Sequence, residues 1–189
     1  MKKRQLIIHY NAPVVLSFAL IALVVLGLDF ITGGATTSKY FCVYRSSFSD
    51  PLTYLRLFTH VLGHGSYSHY ISNIMLMLVI GPQLEERYGS RSLFFAIAVT
   101  ALITGLAQCL IFPGMAVMGA SGIVFMMILL SSMGGTRNSG IPLTVILVAA
   151  FYLGGELISA ITVRDNISQL SHIVGGLCGA GIGFSFRRK

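Results

Sequence analysis

Charged residues are scarce in this chain of 189 residues, of which only 10% are Asp, Glu, Lys or Arg. A soluble domain normally carries about 25% of these residues. Hydrophobic residues make up 54% of the chain, and the mean hydropathy is +0.80. Too little polar surface is left to cover a water-soluble globule, so the composition predicts an integral membrane protein surrounded by the lipid bilayer.

Cysteine is scarce as well, which excludes a disulfide-stabilised scaffold. The three cysteines cannot all pair, and their spacing matches no metal motif: Cys42, Cys109 and Cys178. The histidines between residues 60 and 69 raise the possibility of a metal site. They show no H-E-x-x-H spacing, however, and His64 and His69 lie poorly for one helical face. We therefore expect no metal and no cofactor.

Nucleic-acid motifs are absent, although the net charge is +7. The basic residues form no stripe and lie at the ends of apolar runs, where they anchor and orient membrane helices. Lys2, Lys3 and Arg4 precede the first apolar run, which lacks a small-residue cleavage site. This pattern predicts a retained first helix rather than a signal peptide, and it predicts no nucleic-acid partner.

The apolar runs predict a single all-α domain over residues 1–189, built as a polytopic bundle of six transmembrane helices. An outer loop over about residues 35–68 contains the amphipathic segment 54–58, which suits the membrane interface. The predicted spans are at about residues 13–33, 69–83, 92–112, 121–135, 141–160 and 168–186.

The distribution of basic residues predicts the orientation of this bundle. With both termini in the cytoplasm, nine basic residues are inside and four are outside, as the positive-inside rule requires. The four outer residues are Lys39, Arg45, Arg56 and Arg164.

The fourth span is short. Its 15 residues over 121–135 give about 22 Å of helix, whereas the hydrocarbon core is about 30 Å thick. A helix that reaches the inner surface therefore begins below the outer one. Residues 113–120 must then dip into the protein, where non-helical backbone is tolerated only if it is buried or lines a wet cavity.

Ser121 begins this short helix, within the run Gly119-Ala120-Ser121-Gly122. The glycines permit a sharp turn and the close approach of another group. A helix N-terminus favours negative charge, which suits a nucleophile whose attack creates an oxyanion. An ordinary serine cap after a glycine turn is the alternative. The run is not a hydrolase elbow, because Ile123 occupies its last glycine position and no strand precedes it.

His172 lies near the start of the sixth span, where an ionisable residue is costly and is by default a hypothesis of function. Four glycines fall within about 60° of it on the helical face: Gly175, Gly176, Gly179 and Gly183. Such a face lets a neighbouring helix approach closely. Packing alone would explain the glycines, but a neighbour that carries Ser121 would complete a Ser–His dyad. Phe125, one turn after Ser121, would pack beside the imidazole.

His69 and Asn73 are four residues apart and share one face of the second span. Both side chains can donate hydrogen bonds to an oxyanion, although bonding between helices is the alternative. No acidic residue completes a triad convincingly. Glu85 and Glu86 are predicted on the cytoplasmic side, Asp29 and Glu156 lie elsewhere in the spans, and Asp165 lies in an outer loop.

Taken in order, these motifs resemble the rhomboid family, and in particular its bacterial GlpG-type members. The first loop has Arg56 before Phe-Thr-His, and the second span has His69-x-x-x-Asn73 followed by Gly-x-x-x-Glu-x-x-x-Gly over residues 81–89. Gly-x-Ser-Gly follows at 119–122, and His172 precedes Gly175 and Gly179. Two positions depart from the family pattern: Leu55 stands where Trp is common, and Phe125 where Tyr is common.

The resemblance implies an intramembrane serine endopeptidase that cleaves the transmembrane segments of other membrane proteins. Ser121 would be the nucleophile and His172 the general base, while His69, Asn73 and the backbone of Ser121 would stabilise the oxyanion. Gly119, Gly122, Phe125, Gly175 and Gly179 would support the site. It also implies a mobile fifth helix, a cap loop at about 161–170, and a bacterial inner-membrane location. We expect the chain to be the family core without the cytoplasmic domain that some relatives carry at the N-terminus.

Two other functions are compatible with a broken membrane helix. A small transporter or channel would bind an ion or small anion at the N-terminus of the broken fourth helix. Against this, the chain shows no internal repeat and few charges within the spans. A non-catalytic binder of membrane clients should lack the nucleophile or the base, whereas this chain keeps both.

Overall fold

The computed structural model describes residues 9–133, 143–144, 146–148, 150–151 and 167–187. Most of the predicted fifth span and residues 161–166 of the predicted cap lie outside these ranges, as do Gly134 and Arg137. The helices are α1 (Pro13–Ile31), α2 (Ala35–Tyr40), α3 (Pro51–Thr59), α4 (Tyr67–Tyr88), α5 (Ser90–Ile111), α6 (Ser121–Ser132) and α7 (Ile167–Arg187), with a 3₁₀ turn at His60–Leu62.

The all-helical fold class is confirmed, since the described residues contain no strand beyond an isolated bridge between Val43 and Val117. Helices α1 and α5 are long and apolar enough to cross a membrane, with hydropathies of 2.7 and 2.2. Helix α6 and residues Leu170–Ser185 of α7 are apolar but shorter. The count of six spans stays a prediction.

Helix α6 lies at the centre of the fold. Every residue from Gly122 to Leu130 is buried, as expected for a helix that is apolar on all sides. It ends at Ser132, three residues before the predicted end, so its 12 residues span only about 18 Å. The nucleophile candidate Ser121 is therefore the half-buried first residue of a short helix whose next nine residues are buried.

The first loop is anchored by a buried arginine rather than by an aromatic residue. Arg56 is 4% exposed; its Nε donates to the carbonyl of Lys39 over 2.8 Å, and its Nη1 pairs with Asp50 over 3.3 Å. The guanidinium also lies 4.5 Å from the ring centroid of Tyr44. Leu55, where the family often has Trp, is exposed. The arginine network thus joins α2 to α3 without an aromatic residue at position 55.

The end of α4 differs from the sequence prediction. The predicted span ends at about residue 83, but the helix continues to Tyr88 and stops at Gly89, whose φ is +81°. Glu85 is buried, and its carboxylate accepts the backbone N–H groups of Val14 and Val15 over 2.9 and 3.1 Å. Because the first amides of a helix lack partners within it, Glu85 caps α1 from a different helix.

We expect Glu85→Ala to destabilise the fold, since it leaves the buried amide of Val15 and the part-buried amide of Val14 without acceptors. The cost is about 1–3 kcal/mol for a buried unsatisfied group. Glu86→Ala is the matched control because its side chain is exposed. Thermal unfolding in detergent should show a lower Tm for Glu85→Ala alone. Equal Tm values for the two variants would contradict the capping role.

Candidate active site

The segment between α5 and α6 delivers Ser121 to the start of its helix. Residues 113–116 are exposed, whereas Gly119 and Ala120 are buried, so only the second half follows the predicted path into the protein. Val43 and Val117 exchange two backbone hydrogen bonds of 2.8 and 2.9 Å, and the N–H of Gly119 donates to the carbonyl of His60 over 2.9 Å. The first loop thereby supplies the partners that buried backbone requires.

Gly119 is required for two separate reasons. Its φ of +126° lies in the region that side chains disfavour. A Cβ at this position would also lie 2.8 Å from both Cε1 and Nε2 of His69. The imidazole of His69 therefore packs directly on the backbone that precedes Ser121.

Helix α7 meets α6 through its glycines. A Cβ on Gly175 would collide with the backbone of Gly122, and one on Gly179 with the backbone of Met126. From the other side, a Cβ on Gly122 would lie 3.2 Å from the carbonyl oxygen of Ser171. The two backbones approach as closely as side-chain-free positions allow.

This close contact brings His172 onto α6. Its imidazole stacks on the ring of Phe125, with centroids 4.3 Å apart and an interplanar angle of 6°. Phe125 lies one turn after Ser121, so the ring holds the imidazole beside the start of α6.

One cavity of about 260 Å³ collects the predicted polar residues. Ser121 and His172 line it from α6 and α7, and His69 and Asn73 line it from α4. Asn73 already donates from Nδ2 to the carbonyl of His69 over 2.9 Å, and the amide carries a second N–H. The remaining lining residues are Ser72, Val117, Met118 and Ser171.

Sequence reasoning missed Ser171. Its hydroxyl is buried without a hydrogen-bond partner among the described residues, and it lines the cavity beside His172. The only available signal was that Ser171 directly precedes His172. Adjacent residues of a helix point in different directions, so this neighbour was not expected to share the cavity with His172. His60 was considered as a possible metal ligand and as part of the first-loop motif, but its structural role was not predicted: its carbonyl accepts the N–H of Gly119.

Two buried histidines of the first loop support the cavity as neutral groups. Burial lowers the pKa of both His60 and His64 to about 4. His60 contacts the carbonyl of Arg56 through Nδ1 and Thr104 through Nε2, over 3.1 and 3.4 Å. The ring of His64 instead lies edge-on to His69, with centroids 5.1 Å apart. Across the described ranges no group of three potential ligands is placed to hold a metal ion.

Known proteins resemble this chain over most of its length. A family model described as the rhomboid domain matches residues 51–189. A rhomboid protease GlpG from Photorhabdus laumondii is 33% identical over 52% of this chain and 36% of its own length. Rhomboid-like protein 15 of Arabidopsis thaliana is 26% identical over 94% of this chain and 47% of its own. The mouse rhomboid-related protein 2 is 28% identical over 72% of this chain and 52% of its own length. The chain thus spans about a third to a half of these relatives.

The glycine contact predicts a steep difference between two positions on α7. Gly179→Ala should destabilise the fold by about 1–3 kcal/mol, because its methyl group forces the backbones of α6 and α7 apart. Gly181→Ala is the control, since a Cβ there meets no atom within 4 Å. Its effect should be neutral or stabilising by up to about 1 kcal/mol. Equal unfolding free energies in detergent would contradict the contact.

The buried histidines predict acid sensitivity. In the unfolded chain their pKa returns to about 6.5, so this state binds more protons than the folded one between about pH 6.5 and 4. The free energy of unfolding should therefore fall as the pH falls through this window, by on the order of 1–3 kcal/mol per histidine. Unfolding followed at several pH values should show a shallower loss for His64→Gln than for wild type. If the free energy of unfolding falls equally with pH in His64→Gln and in wild type, the buried histidines are not the cause.

Proposed function

Because the chain belongs to the rhomboid family, we propose that it is an intramembrane serine endopeptidase that cleaves transmembrane segments of other membrane proteins. Family membership makes the chain an integral membrane protein. The observation that carries the proposal is that one cavity at the start of helix α6 is lined by Ser121, His172, His69 and Asn73.

In the proposed reaction, Ser121 is the nucleophile and His172 the general base. His172 takes the hydroxyl proton while the serine oxygen attacks the substrate carbonyl, and it then gives the proton to the leaving amine. Water hydrolyses the resulting acyl-enzyme with the same base. Phe125 supports this role because its stacked ring restricts rotation of the imidazole.

The oxyanion would be stabilised from two sides. His69 and Asn73 present side-chain donors from α4, and the N-terminus of α6 contributes backbone N–H groups and its dipole. The residue before α6 is Ala120, whose methyl group cannot accept hydrogen bonds from these amides. The close packing of His69 on Gly119 keeps the α4 donors next to the reacting serine.

We further propose that the chain crosses the membrane six times, with both termini in the cytoplasm. The membrane would be the inner membrane of a bacterium. The nine-to-four asymmetry of basic residues supports this orientation. The relative from Photorhabdus supports a bacterial source, whereas the plant and mouse relatives show that similar proteins also occur in eukaryotes.

Labelling with a fluorophosphonate probe tests the proposed dyad. Wild type should be labelled, Ser121→Ala should not, and His172→Ala should react about 10²–10⁴-fold more slowly because the base is lost. Ser131→Ala is a control on the same helix, with its hydroxyl bonded to the carbonyl of Ile128, and should be labelled like wild type. Absence of labelling in folded wild type would favour a non-catalytic client binder or a small transporter.

A further inference from the structure

A second cavity lies on the side of the molecule formed by α1 and α5, away from the residues of the candidate active site. This α1–α5 groove has a volume of about 480 Å³. Its lining comes from α1, α5 and the end of the first-loop helix: Pro13, Val14, Ser17, Phe18, Ile21, Phe58, Val61, Leu62, Ser90, Phe94, Ile97, Ala98 and Ala101.

The groove is elongated along the helices. On α5 it extends from Ser90 to Ala101, a rise of about 17 Å. The hydrocarbon core of a bilayer is about 30 Å thick, so one leaflet contributes about 15 Å of acyl chain. The length of the groove therefore matches one acyl chain that runs from the membrane surface to the middle of the bilayer.

The lining suits hydrocarbon along its length. Phe94 is 63% exposed and Ile21 50% exposed, so both present apolar surface that the protein leaves uncovered. The hydroxyl of Ser17, one of the two serines in the groove, is already hydrogen-bonded to Tyr10 over 2.9 Å. The first-loop residues Phe58, Val61 and Leu62 also line the groove, and the contact of Leu57 with Gly105 places this part of the loop beyond Ala101 on α5.

The other end of the groove is electropositive. Here α5 starts after Gly89 with no side-chain cap and no acidic residue in its first turn, so its N-terminal dipole favours an anion. Arg91 is exposed beside it. The neighbouring N-terminus of α1 differs, because Glu85 already neutralises it. Glu86 and Arg87, both exposed, offset one another in charge.

We propose that the α1–α5 groove binds one anionic phospholipid of the leaflet that faces the N-termini of α1 and α5. One acyl chain fills the groove as far as the first loop, and the phosphate lies at the start of α5 beside Arg91. In the proposed topology this is the cytoplasmic leaflet. The lipid thereby packs under Phe58 and Val61, in the same loop whose His60 carbonyl holds Gly119.

Native mass spectrometry of the full chain, delipidated in mild detergent, tests the site with phosphatidylglycerol and phosphatidylcholine of identical acyl chains. Wild type should bind one phosphatidylglycerol at least about tenfold more tightly than phosphatidylcholine. Ala98→Phe fills the groove and should weaken both lipids about tenfold. Ile103→Phe adds a similar ring at an exposed position of α5 outside the groove and should not.

The headgroup is tested separately. Arg91→Gln should remove the preference for phosphatidylglycerol and keep the binding of phosphatidylcholine, whereas Lys39→Gln, in the first loop, should keep the preference. Equal affinities of wild type for the two lipids would overturn the anionic assignment. Equal effects of Ala98→Phe and Ile103→Phe would overturn the groove.

A measurement on wild type covers the case in which Ala98→Phe does not fold. Phosphatidylglycerol with a photoreactive group in its acyl chain should crosslink preferentially to residues 13–21 and 94–101. The exposed face of α4, with Met75 and Val79, is the reference surface. Uniform labelling of both surfaces would show ordinary bilayer contact and would overturn the proposal.

Discussion

The contact between the backbones of α6 and α7 is the constraint on which the rest of the structure depends. Lipid offers no hydrophobic force that drives helices together, so association in a membrane depends on close packing. Gly175 and Gly179 meet the backbones of Gly122 and Met126 with no room for a Cβ. This steric fit, rather than a polar bond, determines how near His172 lies to the start of α6.

A second requirement follows from the irregular backbone before Ser121, whose polar groups need partners away from water. The first loop provides them through Val43 and the carbonyl of His60. The loop is itself fixed by the buried guanidinium of Arg56. Its position at the edge of the membrane is therefore coupled to the geometry of the cavity, and the α1–α5 groove ends against the same loop.

Much of this arrangement was predictable from local sequence. Glycine periodicity predicted the close face of α7, and the Gly-x-Ser-Gly run predicted a serine at the start of a short helix. The predicted end of α4 at about residue 83 was wrong, because the charges at residues 85–87 are typical of an exposed turn that follows a helix. Glu85 is buried since it accepts amides of Val14 and Val15, about seventy positions earlier, and no local pattern encodes such a contact. The pairing of Val43 with Val117 was hidden for the same reason.

The dyad proposed here must stabilise a positive imidazolium without a carboxylate, since no acidic residue lines the described cavity. The stacked ring of Phe125 offers a physical substitute. A cation within about 6 Å of an aromatic centroid is stabilised by about 0.5–2 kcal/mol, and more so when water is excluded. The rings of Phe125 and His172 lie 4.3 Å apart, within that range. Because this attraction comes from the ring face, replacing the tyrosine common in the family by phenylalanine removes a hydroxyl and keeps the electrostatic contribution to the base.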